Sequence, residues 1–340
     1  MSSDTNKKIL LAHGGGGRLS LQLIEKTILP AFGNDILAEL GDAAALELGS
    51  TSICFTTDSF VVKPLFFNGG DIGKLAVCGT VNDLAVAGAK PAALSLSLII
   101  EEGLQMDVLD KVLSSAAETA AKAKIPIVTG DTKVVETGAA DKLFINTAGI
   151  GTKLKEADLS FGRICPGDKI IINGNIGDHG MTIISQREGI EFDSLLKSDC
   201  ACLDGLTCRI LQDCGGVKFM RDPTRGGLAA TLNEIATAAG HSIELYENDI
   251  PADPTTRGAA DMLGFDLLDI ANEGKVIIVA AADCADKILQ SCKAHPLGEK
   301  AAIIGEVIEA EDMPVVELIT TVGGRRIVQM PYGRELPRIC

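Results

Sequence analysis

One alternation restricts the fold of this chain more than any other feature. Short β-branched runs, "SICFTTD" (52–58), "LFINTAGIG" (143–151), "KIIINGNIGD" (169–178), "KVIIVAAAD" (275–283) and "AAIIGEVI" (301–308), read as strands. Ala/Leu-rich segments among them, "SLQLIEKTILPAFG" (20–33), "MDVLDKVLSSAAETAAKAK" (106–124), "LAATLNEIATAAG" (228–240) and "CADKILQSCKAH" (284–295), read as helices. A chain that keeps switching between the two periods packs helices on sheets, so the expected class is mixed α/β. The charged, loop-like stretch "GTKLKEADLSFGRICPGD" (151–168) separates two halves, each with several strands and at least two helices, and places the boundary near Phe161. No short solenoid repeat is visible.

With 340 residues, 46% of them hydrophobic, the chain can bury two cores, and these are aliphatic: it has ten phenylalanines, two tyrosines and no tryptophan. Acidic residues outnumber basic ones by 46 to 31, so the surface on average repels nucleic acid and anionic membranes, while a local anion site stays compatible. The apolar run near the start spans four residues, too short for a signal sequence, and "PAALSLSLII" falls short of the roughly 20 residues of a membrane span. A cytoplasmic protein is the expectation.

Ten cysteines are scattered along the chain, several, such as Cys54, Cys78 and Cys165, in apolar stretches where a thiol acts as a small hydrophobe. Cys200, Cys202, Cys208 and Cys214 fall in one short region without paired CxxC hooks, a spacing that favours helix faces over a metal site.

Polar clusters interrupt the pattern at positions read as strand ends, where α/β proteins build sites. They are Asp42 in "ELGDAAAL", Asp58 in "FTTDSFVVKP", Asn82 and Asp83 in "GTVNDLAVAGAKP", Asp131, Thr132, Lys133 and Glu136 in "VTGDTKVVE", and Asp222, Thr224 and Arg225 in "FMRDPTRGGLAA". Any one of them reads equally as a turn or a helix cap. Together they predict convergent carboxylates, which repel one another unless cations neutralise them. Hard oxygen ligands point to Mg²⁺, which takes one or two carboxylates, waters and substrate phosphates, so a nucleotide is its expected companion. Lys133 and Arg225 offer charge for phosphate oxygens. In "AHGGGGRLS", Gly14, Gly15, Gly16 and Gly17 let backbone N–H groups approach an anion at a helix start, although the same run also serves as a plain flexible loop. A second strand, turn and helix, "NGNIGDHGMTIISQREG", carries Asp178 and His179, the latter a cap or packing residue.

These motifs, in this order from Gly41 to Arg225, resemble those of the ATP-dependent enzymes that include aminoimidazole ribonucleotide synthetase, selenophosphate synthetase and thiamine-monophosphate kinase. "HGGGG", "RDPTRGG", "NEG" and a "PRIC" ending resemble most the carbamoyl dehydratases of hydrogenase maturation. The resemblance implies a two-domain PurM-like fold of mixed sheets and helices: a dimer-forming, ATP-binding domain over 1–160, a second α/β domain over 161–333, and a mobile tail, 334–340, carrying Cys340. It further implies a homodimer, magnesium at Asp42, Asp83 and Asp222, nucleotide phosphates near Asp58, Asp131, Thr132 and Lys133, and Glu273 facing the tail. The glycine loop lacks the cysteine or selenocysteine common in selenophosphate synthetases.

The resembling enzymes convert an S-carboxamide on a tail cysteine, here Cys340, to a thiocyanate that supplies cyanide to [NiFe]-hydrogenase iron. Their implied partners are the carbamoyltransferase HypF and a HypC–HypD iron scaffold. Phosphorylating the carboxamide oxygen makes it leave as phosphate, a step that needs positioning and charge neutralisation, with Lys133 and Arg225 as suppliers. A base must take amide protons; Glu273 is the first candidate and Glu136 the second. From Gly333 to Cys340 an extended tail swings its tip over roughly 23–25 Å. Pro337 favours extension, and Arg334 and Arg338 are attracted to anions. A kinase or synthetase of a free small molecule, and a thiol carrier gated by nucleotide, are the competing readings.

Overall fold

The computed structural model of the chain describes residues 8–190, 196–333 and 338–340. In chain order its strands are β1 (Ala44–Leu48), β2 (Thr51–Phe60), the small hairpin β3 (Phe66–Phe67) and β4 (Gly70–Asp71), β5 (Ala89–Glu101), β6 (Ile127–Val135), β7 (Leu143–Lys153), β8 (Lys169–Ile172), β9 (Val217–Arg221), β10 (Ser242–Tyr246), β11 (Ile277–Ala280), β12 (Ala302–Ile308), β13 (Val316–Ile319) and β14 (Arg325–Ile327). The helices are α1 (Arg18–Leu23), joined through a π turn (Ile24–Ile28) to α2 (Leu29–Phe32), then α3 (Ile72–Val86), α4 (Met106–Ala123), α5 (Asp178–Glu188), α6 (Asp204–Asp213), α7 (Gly227–Ala239), α8 (Pro254–Leu263) and α9 (Ala285–Lys293).

Strands of the first half form a five-stranded sheet, β1-β2-β7-β5-β6, antiparallel except for the β5–β6 pair. Period-two alternation gives this sheet two unlike faces. Cys54, Thr56 and Phe60 of β2 and Leu143, Ile145 and Thr147 of β7 are buried, and Phe60, Leu143 and Ile145 share a core with Ile72 and Leu75 of α3 and Val112 of α4. Phe55, Ile99 and Ile150, on the other face, are each 40–45% exposed.

The second half forms a seven-stranded sheet, β14-β13-β10-β12-β8-β11-β9, in which only β10–β13 is parallel. Its central strands are covered on both faces, which is why they read as unbroken apolar runs. Ile170 and Ile172 pack with α5, α7 and α8, while the intervening Ile171 packs with α6 and α9.

Helix α3 lies between the halves. Its residues join both the core beneath the first sheet and, through Val86, the core of α6 and α9. Asp71 caps it, accepting from the backbone N–H of Gly73 at 2.7 Å and of Lys74 at 3.2 Å. Because it is apolar on nearly every side, it lacks the one-sided periodicity that marks a surface helix. Asn82 and Asp83, expected at a strand end, sit in its last turns, and Asp58 and Asp131 lie within strands. Among the described residues no helix is long and apolar enough to cross a membrane. Cys165, expected to be buried, is exposed.

Candidate active site

Four carboxylates reach one region from four segments: Asp42 ahead of β1, Asp58 in β2, Asp83 in α3 and Asp222 just past β9. The Thr56 hydroxyl lies 2.8 Å from Asp83 Oδ2 and 2.9 Å from the Asp42 carbonyl oxygen, tying β2 to both neighbours. Arg221 bridges Asp42 at 3.3 Å and Glu234 at 3.2 Å. Burial, and then the charges of Asp222, Asp42 and Asp58, push the Asp83 carboxyl well above its ordinary range. Asp222 is pushed to about 8 by burial and the neighbouring Asp42. Burial raises Asp42 and Asp58 as well, against the opposing pull of Arg221 and Arg225 respectively.

This donor set fits a hard divalent cation, because only added positive charge lets several such carboxylates ionise together. Among the described residues, no three His, Cys, Asp or Glu side chains close around a single point as a ready-made cage. A site with one or two carboxylates per ion, completed by phosphate oxygens, is the arrangement magnesium accepts.

Residues 338–340 lie against this cluster. Val61 N–H donates to the Cys340 carbonyl at 3.0 Å and Lys63 N–H to the Arg338 carbonyl at 3.2 Å, so the segment pairs antiparallel with the chain leaving β2. The Arg338 guanidinium donates to the Val61 carbonyl at 2.8 Å and to Asp141 at 2.6 Å, and lies over the Phe144 ring. Arg187 donates to the Arg338 carbonyl from α5. Lys63 and Arg338 together hold the Asp141 carboxyl at about 2. The Cys340 thiol is pushed up to about 12, first by burial and then by Glu273, Asp58 and Asp222, with Arg225 pulling the other way. Arg334 and Pro337 lie outside the described residues.

Glu273 is buried, and its Oε1 has no hydrogen-bond partner within the described structure. Burial first, then Cys200, Asp222, Asp199 and Asp58, raise its carboxyl well above the ordinary value. Its backbone is fixed: its N–H donates to Asp199 at 3.1 Å, and its carbonyl accepts from the Asn82 side chain at 3.1 Å. Asn82 also donates to the Ala201 carbonyl at 3.1 Å and accepts from Leu203 N–H at 2.8 Å. With its amide spent in this way, Asn82 acts as a brace for the 201–203 and 273 segments.

Other expected residues lie elsewhere. Ladder pairing sets Asp131 opposite Ser97, then Asn146, then Ser59, three strand spacings or about 14 Å from β2. That row and Lys133, opposite Ile99, are on the open face, whereas Asp58, opposite Thr147, is on the face covered by α3. Asp131 and Lys133 pair with each other at 2.8 Å, exposed. Thr132 is exposed on the same edge strand, and Glu136 is exposed just beyond it. A groove of about 640 Å³ runs along this edge, lined by Leu96, Leu113, Ala116 and residues 127–132.

The glycine run packs against protein. A Cβ on Gly16, whose φ is +77°, would meet Arg225 Cβ at 2.5 Å; one on Gly17 would meet the Pro331 carbonyl oxygen at 2.1 Å, and one on Gly15 that of Gly333 at 2.8 Å. Gly14 is open, and its carbonyl accepts from Arg225 at 3.4 Å. Arg18 N–H donates to the Pro331 carbonyl at 2.8 Å and Gly16 N–H to Ser20 Oγ at 3.0 Å. The Gly15 and Gly16 amides are thus spent within the loop itself, on the Ala12 carbonyl and Ser20 Oγ, while the backbone of the run packs against the root of the tail and Arg225.

Residues 40–152 match the N-terminal domain of AIR synthase related proteins, and residues 165–316 match their C-terminal domain. A carbamoyl dehydratase HypE of Rhizobium leguminosarum bv. viciae is 48% identical over 98% of this chain and 96% of its own length. A HypE solved in complex with ATP is 45% identical, with a TM-score of 0.82 over 98% of this chain and 100% of that one. A HypE solved with HypF gives 47% and 0.86 over 91% of this chain and 99% of that one. The chain belongs to the AIR synthase related family and, within it, to the HypE carbamoyl dehydratases.

Proposed function

We propose that the chain uses ATP to dehydrate a carbamoyl group carried on its own Cys340 to a thiocyanate, the source of cyanide for [NiFe]-hydrogenase iron. The observation that carries this reading is the docked Cys340, held beside Asp58, Asp222, Arg225 and Glu273, whose Oε1 has no hydrogen-bond partner among the described residues. A thiol raised to about 12 is a poor nucleophile, so the docked position suits an already loaded sulfur better than a loading step.

The γ-phosphoryl of ATP goes to the carboxamide oxygen. The C–O bond then breaks, phosphate leaves with that oxygen, and the nitrogen loses two protons as the C≡N bond forms. Overall, S-carboxamide and ATP become thiocyanate, ADP and phosphate. Glu273, as the carboxylate, receives one amide proton and the departing phosphate takes the other; burial and the neighbouring acidic groups make that carboxylate a strong base. Arg225 faces the developing phosphate charge. Asp42, Asp83 and Asp222 would hold magnesium, which when bound neutralises phosphate charge.

The same reading includes a homodimer over the open face of the first sheet, which bears Phe55, Ile99 and Ile150 together with Asp131 and Lys133. Across such an interface Asp131, Thr132 and Lys133 would serve the phosphates of the neighbouring subunit. It takes residues 1–160 and 161–333 as the two domains, 334–340 as the travelling tail, HypF as the carbamoyl donor, HypC–HypD as the cyanide acceptor, and the cytoplasm as the setting. The test is to incubate the protein with HypF, carbamoyl phosphate and ATP and weigh the peptide that carries Cys340. The expected product has lost one water from the carbamoylated form; a carbamoylated peptide unchanged by ATP overturns the proposal.

A further inference from the structure

His179 takes no step in the reaction above, yet it is fully buried with both ring nitrogens engaged. It comes from the first turn of α5, edge-on to the Phe67 ring with centroids 5.5 Å apart. Its Nδ1 is 2.8 Å from Ser198 Oγ and its Nε2 is 2.9 Å from the Ile339 carbonyl oxygen. A carbonyl only accepts, so Nε2 carries the proton and Nδ1 must accept from the Ser198 hydroxyl. Ser198 Oγ in turn accepts from Cys200 N–H at 3.1 Å. Donation therefore runs one way, from Cys200 through Ser198 and His179 to the tail. Burial lowers the pKa of His179, which keeps the ring in this neutral form.

The hydrogen bonds of the segment show why the tail needs this partner. The carbonyls of Arg338 and Cys340 accept from Lys63 and Val61, and the intervening Ile339 carbonyl is turned to His179 instead. Ile339 is itself buried, so without His179 its carbonyl would be an unpaired acceptor inside the protein. We infer that His179, oriented by Ser198, is a positioning residue that latches residues 338–340 into the site and so sets how often Cys340 stands beside Glu273. The latch follows from contacts alone; its effect on turnover rests on the function proposed above.

The test uses the full chain and its His179→Ala, Ser198→Ala and His179→Gln variants, each checked for folding by thermal melting. Cys340 is labelled with N-ethylmaleimide over time, its peptide is quantified by mass spectrometry, and the exposed Cys165 is the internal standard. A buried thiol reacts only while its segment is open, so the rate reads the open fraction. Labelling should quicken about five- to tenfold in His179→Ala, about two- to fourfold in Ser198→Ala, and least in His179→Gln, which keeps a donor. Wild-type labelling rates in the folded Ala variants overturn the latch; if His179→Ala does not fold, Ser198→Ala decides by the same criterion. In the two half-reactions, HypF-dependent loading should hold or quicken while dehydration slows, and equal slowing of both also overturns it. A wild-type protein that labels as expected but never dehydrates sinks the proposed function and leaves the latch standing.

Discussion

The edge strand β6 and the cluster facing Cys340 are built from the same residue types. On β6, Asp131 stands in the open, where Lys133 and the Thr132 amide hold its carboxyl below the ordinary range. In the cluster, Asp83 is raised by burial and by Asp222, Asp42 and Asp58, and Asp222 by burial and by Asp42. One aspartate already has its cation and leaves it little reason to seek another; the others have charge they cannot keep without a cation. The contrast shows that an acidic motif acquires its role from what lies behind and across from it.

The largest expected effect breaks the comparison most directly. Asp83→Asn should lower dehydration by about a thousandfold or more while HypF still loads Cys340, measured by mass spectrometry of the two steps. Retained turnover would mean the buried cluster is structural. Next, Lys133→Ala should cost about ten- to a hundredfold if β6 reaches a neighbouring subunit's site. Mixing it with Cys340→Ala subunits should then restore turnover, because each intact Cys340 would meet an intact Lys133. An unaffected Lys133→Ala enzyme would leave β6 as plain surface.

A smaller effect concerns stability. Asp222 has its folded pKa raised from 3.8 to about 8, so the folded state binds its proton more tightly than the unfolded one. Its contribution is complete below pH 3.8 and is lost as pH rises towards 8. The advantage of Asp222→Asn in melting temperature over the nucleotide-free wild type should therefore grow by about 2–5 °C between pH 5 and pH 8. Magnesium with ATP should reduce that difference. Asp131→Asn, the smallest change, should leave the melting temperature within about 1 °C of wild type, since it removes only an exposed ion pair.

Much of the fold was legible because its buried strands announce themselves: Ile170, Ile171 and Ile172 are apolar in succession because both faces of β8 are covered. Helix α3 was not, since burial on nearly every side erases the period that identifies a helix. The acidic residues of the cluster could be picked out as types, and Glu273 and Cys340 do meet them. Which aspartates face inward was beyond reach, because it depends on the register of strands distant in sequence, which sets Asp58 and Asp131 in adjacent rows that face opposite ways. His179 reads in the sequence as a cap or packing residue, because its partner carbonyl lies 160 positions away. Gly15, Gly16 and Gly17 read as an anion loop because backbone approaching backbone and backbone approaching phosphate call for the same missing side chain.

The short antiparallel pairing of residues 338–340 with Val61 and Lys63 has a kinetic consequence. A reactant tethered to its own catalyst arrives at an effective concentration fixed by the linker, in the millimolar range or above, however dilute the protein. Single-turnover dehydration should then be first order and indifferent to dilution for as long as the oligomer holds. Concentration would govern only the meetings before and after, when the sulfur leaves its berth for another protein.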